Sequence, residues 1–176
     1  IGLAVLAAFT VAFYPSIANA PGFDSILEEM PEALARAFMG EVTDLTSPTG
    51  YLNSQLFVFF LPLLFLVFAV ARGSSTIAGE EESGTLDLLL SYPVARWRVT
   101  LDKFAAIIVA TLVLAFIFWL TLAMSAIAIG MGISLLRMAE ATLSAALLGL
   151  TFGALALAVG CATGKRGISI GVSSAV

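Results

Sequence analysis

Apolar residues run almost unbroken through residues 1–18, 51–71, 104–129 and 141–161, and the pattern resumes at Ile168. Roughly 20 apolar residues in a helix cross a hydrocarbon core about 30 Å thick. In lipid each backbone group must be satisfied within the segment, which a helix achieves alone. The pattern therefore predicts an all-α, polytopic transmembrane helix bundle. Its spans fall at about 1–18, 51–71, 104–129 and 141–161, with a fifth from 168 to 176. Ile1 and Val176 both lie inside apolar runs, so a fragment with further helices beyond one or both ends is expected.

The polar stretches between the runs carry their own signals. In the segment 19–50, Ser25-Ile26-Leu27-Glu28 fits a capping box. Leu27, Met30, Leu34 and Phe38 then recur at helical spacing before Gly40, which predicts one or two short amphipathic helices. Ala18-Asn19-Ala20 resembles a signal-peptide cleavage site, but no basic region precedes it. Ser47-Pro48 reads as a helix start, with Ser as cap and Pro at the first position. Pro62 removes one backbone donor from the second span and is expected to bend it. Arg137 and Glu140 are assigned to the short link before the fourth span.

Composition confirms a membrane class and excludes others. Hydrophobic residues make up 60% of the chain and charged residues 11%, against about 25% charged in ordinary soluble domains. The net charge is -4 with no basic patch, so nucleic acid is not an expected partner. With no histidine and a single cysteine, Cys161, neither a Cys/His metal cluster nor an internal disulfide can form. Arg72, Arg96, Arg98, Lys103, Lys165 and Arg166 fall on one side of the predicted spans, and only Arg36 and Arg137 on the other. Basic residues concentrate on the cytoplasmic side. The 72–103 loop is thus expected in the cytoplasm and the acidic 21–50 segment outside.

That loop holds the most informative residues. Thr85 is a good helix cap, and Asp87 falls in the first turn, where the helix dipole favours an anion. Leu86, Leu89, Leu90 and Pro93 form one apolar stripe, and Pro93 disfavours continuation. The result is a short helix outside the bilayer, greasy on one face. Its stripe is buried either under its own bundle or in a partner. The preceding run Glu80-Glu81-Glu82 is either a solvated face or a partner for Arg96, Arg98 or Lys103. A continuous helix from Pro48 to Glu82 would be about 52 Å long and would project from the membrane, unless Gly73-Ser74-Ser75 breaks it.

Glu82-x-Gly84-Thr85-Leu86-Asp87-x-Leu89-Leu90-x-x-Pro93-Val94-x-Arg96, with Lys103 opening the next span, resembles the signature loop of type-two ABC transporter permeases. Ile77-Ala78-Gly79-Glu80-Glu81 and Ser47-Pro48-x-Gly50-Tyr51-Leu52 resemble the same family. Ala95 departs from it, where Ser is frequent. The resemblance implies an inner-membrane permease subunit of an ABC exporter, usually with six spans. It also implies a partner ATPase subunit that binds ATP and Mg, and a second permease copy or half. Glu82, Gly84, Thr85, Leu86, Asp87, Leu89, Leu90, Pro93 and Arg96 become the ATPase-coupling residues.

Three further features bear on this reading. Gly160 to Arg166 superficially resembles a phosphate-binding loop, but its spacer is short, Arg166 replaces Ser/Thr and no strand is predicted before it. No ATP site or cofactor is therefore expected in this chain, and no catalytic residue is assigned. Ala145, Gly149 and Gly153 are spaced by four, as in helices that approach closely. The interiors of spans two, three and four contain no ionisable residue. A secondary carrier or channel usually needs such residues or inverted repeats. That class, and a non-transporting membrane scaffold, are the alternatives to the ABC permease.

Overall fold

A computed structural model describes residues 2–18, 47–84 and 95–175. Seven α-helices occur among them: α1 (Gly2–Ala18), α2 (Pro48–Leu52), α3 (Phe60–Thr76), α4 (Ala78–Glu82), α5 (Arg96–Ile129), α6 (Leu135–Thr163) and α7 (Arg166–Ala175). A π-helical turn, Asn53–Phe57, follows α2. No strand occurs among the described residues. Three stretches are long and apolar enough to cross a membrane: Pro48–Thr76, Trp97–Ile129 and Leu135–Thr163. Val109, Phe116, Leu120 and Ile127 stay exposed in the chain, which only lipid or another apolar surface makes tolerable. The chain is an all-α, multi-pass membrane protein. The amphipathic segment predicted between Ser25 and Gly40 lies outside the described residues.

The chain divides into two compact units. One comprises Ile1–Pro62 and Ala115–Ser144, the other Leu63–Leu114 and Ala145–Val176.

In the first unit, Ser47 caps α2 as its sequence predicts, accepting from the Gly50 amide at 3.1 Å with Pro48 at the start. This places Tyr51 inside the unit, where its hydroxyl donates to the Thr10 carbonyl of α1 at 2.9 Å. The Tyr14 and Tyr51 rings meet at 5.5 Å. Ala7, Val11, Leu52, Leu56, Phe118 and Leu122 are buried here. The link from α5 to α6 turns on Gly130 (φ 71°) and Gly132 (φ 65°), a backbone region that a side chain would penalise. Trp119 closes the link by donating from Nε1 to the Leu135 carbonyl at 3.1 Å.

The second unit is built around Ile77, Ile107 and Leu157, with Phe104 and Leu150 packed against them. Two buried threonines are satisfied within their own helices. Thr111 donates to the Ile107 carbonyl and Thr142 to the Met138 carbonyl, each at 2.8 Å. Among the described residues, no buried side-chain nitrogen or oxygen lacks a partner.

Three sequence expectations shift, and one condition is met. The irregularity expected at Pro62 falls one turn before it in the stretch Pro48–Thr76. The Val58 amide bonds to the Asn53 carbonyl at 2.9 Å, a π turn one turn earlier, and α3 restarts at Phe60. Pro62 has no amide to offer the Val58 carbonyl, and the irregular turn sits directly before it. Gly73-Ser74-Ser75 does not break α3, which runs to Thr76 and turns only at Ile77. The Ser75 and Thr76 hydroxyls bond back to the Arg72 carbonyl. Arg137 and Glu140 lie in the opening turns of α6 and not in the link, which is 130–134. The helices also outrun their apolar cores, α5 beginning at Arg96 where the apolar run begins at 104.

Candidate functional site

Within the second unit, α3 and α6 meet along a seam of small residues. A Cβ built on Gly149 would lie 2.8 Å from the Phe65 carbonyl carbon and oxygen. One on Gly153 would lie 2.9 Å from the Ala69 Cβ, and one on Gly73 2.3 Å from the Gly153 carbonyl oxygen. The pairs advance together along both helices, so the two run parallel here with backbones in direct contact. Such closeness is available only where a side chain is absent or a methyl. Ala145 lies on α6 one turn before Gly149 and is buried. Ala69-x-x-x-Gly73 carries the same spacing as Gly149-x-x-x-Gly153, a signal in the sequence that the α6 stripe alone did not use.

At one end of this unit the charged residues gather. Lys103 of α5 donates from Nζ to the Thr76 carbonyl at 2.9 Å and forms an ion pair with Glu80 of α4. Glu82 Oε1 accepts from the backbone amide of Arg166, the first residue of α7, at 2.9 Å. Glu81 lies over Gly164, whose φ of +62° and missing side chain make room: a Cβ there would sit 2.7 Å from the Glu81 carboxylate. Gly160 packs against Ala78, and Ser169 of α7 donates its hydroxyl to the Ala156 carbonyl of α6. Helices α4, α5, α6 and α7 are thus joined around three consecutive carboxylates.

The chain leaves this cluster through Gly84. Its φ of +70° ends α4, with the Ser83 amide on the Gly79 carbonyl and the Gly84 amide on the Glu81 carbonyl. The chain re-enters at Ala95, and α5 begins at Arg96. Thr85, Leu86, Asp87, Leu89, Leu90 and Pro93 fall outside the described residues. Of the cations expected to meet the acidic run, Lys103 meets Glu80, whereas Glu82 meets a backbone amide. Sequence reasoning missed that amide because backbone donors carry no residue signature. The stretch resembling a phosphate loop is the end of α6 followed by a turn at Gly164 and Lys165, with a helix where such a loop needs a strand. Among the described residues, no group of His, Cys, Asp or Glu could hold a metal ion.

Comparison with known proteins places this architecture. The probable ABC transporter permease protein NosY of Pseudomonas aeruginosa is 45% identical over 51 residues, and that of Stutzerimonas stutzeri 43% identical over 51 residues. Each match covers 29% of this chain and 17% of the relative. No solved structure matches. Residues 2–176 match the ABC-2 family transporter protein family, and with that match across nearly the whole chain, the protein belongs to this family.

Proposed function

We propose that the chain is the transmembrane permease subunit of an ATP-driven exporter, which docks a separate ATPase through a cytoplasmic helix at Thr85–Pro93. The observation that carries this reading is the junction of Glu80, Glu82, Lys103 and Arg166 at one end of the second unit. The 85–94 segment leaves next to that junction through Gly84, and it leads into α5, which carries Lys103 two turns on. A helix docked there would act on four helices at once. Family membership supports a transport role without an ATP site in the chain, with ATP and Mg bound by the partner. The Lys and Arg distribution supports an inner-membrane orientation with this end in the cytoplasm. A second permease copy or half would complete the pathway. An interior without ionisable residues suits a hydrophobic or amphiphilic substrate driven from outside the membrane.

The test is Leu89→Asp or Leu90→Asp. A carboxylate forced into an apolar groove costs several kcal/mol, and each 1.4 kcal/mol is tenfold in affinity. The ATPase should fail to copurify while the detergent-extracted size profile stays normal. A collapsed profile would place the stripe in the permease's own core. Normal copurification with normal stimulated ATP hydrolysis would remove the coupling role from this helix.

A further inference from the structure

Helix α7 starts without a cap of its own. Lys165 is its N-cap, since the Lys165 carbonyl accepts the first helical bond from the Ser169 amide at 3.1 Å. Ser, Thr, Asp or Asn is preferred at that position because a short oxygen can reach the free amides. Gly164 and Lys165 offer no side-chain acceptor. The acceptor comes from Glu82, which lies 84 positions earlier in the chain. Its negative charge also meets the positive end of the α7 dipole. A local Ser or Asp would cap α7 wherever α4 stood. With the acceptor on α4, the first turn of α7 is capped only while α4 is in place, although Ser169 also holds it to α6. The fit is tightened by Glu81 over Gly164, and α4 is fixed on its other side by Glu80 and Lys103.

We infer that Glu82 is a positioning residue that ties α4 to helix α7, so that a shift of α4 is passed to α7. This rests on the reading of the chain as a permease driven by a separate ATPase. Glu82 acts through the α7 amide and not by touching the ATPase.

The experiment uses the full-length transporter assembled with its ATPase, in a Cys161→Ser, Ile168→Cys background. The maleimide labelling rate at position 168 is read with and without ATP and vanadate. In this parent, nucleotide should change the rate by about fivefold or more, the lower end of typical couplings between linked sites. Glu82→Ala should abolish the change while the ATPase still copurifies. Glu82→Gln keeps an acceptor oxygen and should retain the change. Lys165→Asp added to Glu82→Ala supplies a local cap, so α7 is capped again but untied from α4, and the response should stay absent. This double variant also serves if Glu82→Ala alone does not fold.

A response that survives in Glu82→Ala, or returns with Lys165→Asp, overturns the inference, the latter because Glu82 would then be only a cap. A parent without any response overturns it too. Loss of the ATPase from Glu82→Ala alone would place Glu82 on the docking surface and likewise overturn it. An ATPase that fails to copurify with the parent sinks the permease reading itself.

Discussion

The two compact units are held by different means. In the first, long side chains reach across to backbone carbonyls: Tyr51 to Thr10 and Trp119 to Leu135. In the second, backbones touch directly at Gly73, Gly149 and Gly153, and the charged end is joined by carboxylates. Reach tolerates adjustment, because a ring can shift and still cover apolar surface. Contact between backbones does not, because no flexible atom can give way. The second unit should therefore fail when atoms are added, and the first should weaken when polar atoms are removed.

The strongest break of that contrast is Gly153→Leu. Overpacking costs about 1–3 kcal/mol or more, and here the obstruction is Ala69 with its own backbone. Loss of the monodisperse detergent-extracted species is expected. Normal assembly would mean that α3 and α6 do not touch at this point.

A finer test sets one methyl against another. Gly73→Ala puts a Cβ against the Gly153 carbonyl and should lower the thermal unfolding midpoint in detergent, with a cost of about 1–3 kcal/mol. Gly171→Ala adds the same methyl to α7, where nothing lies within 4 Å. There the helix preference of Ala over Gly, up to about 1 kcal/mol, should leave the midpoint level or raised. If Gly171→Ala is the more harmful of the two, another chain covers that face of α7.

Tyr51→Phe should have the smallest effect. It keeps the ring contact with Tyr14 and loses one interhelical hydrogen bond, a loss of roughly 0.6 kcal/mol in membranes. A drop in midpoint as large as that of Gly73→Ala would show that the first unit also depends on a single contact.

Much of the fold was legible in the sequence because the thickness of a bilayer constrains the length of an apolar run directly. The ends of the helices were not. Arg96, Arg98, Leu135 and Arg137 are good helix formers that extend α5 and α6 past the apolar core, and hydropathy marks the core alone. The start at Ser47-Pro48 was legible because capping is local. The Gly149-Gly153 spacing was visible, but which helix it met is a three-dimensional fact. Glu82 was singled out by resemblance, yet its amide partner on Arg166 was hidden by distance along the chain. The one trace of that contact is a missing cap at Gly164-Lys165.

Helix α5 has a mechanical consequence of its own. Its 34 residues contain neither Gly nor Pro, the residues at which sharp kinks most often form. At 1.5 Å per residue it is a rod of about 51 Å, some 20 Å longer than the hydrocarbon core. A tilt of about 10° swings one tip by about 9 Å relative to the other, simply from that length. The rod begins where the 85–94 segment ends and carries Lys103 two turns in. Length alone thus makes the angle of this helix a sensitive quantity, since a few degrees correspond to several ångström along its course.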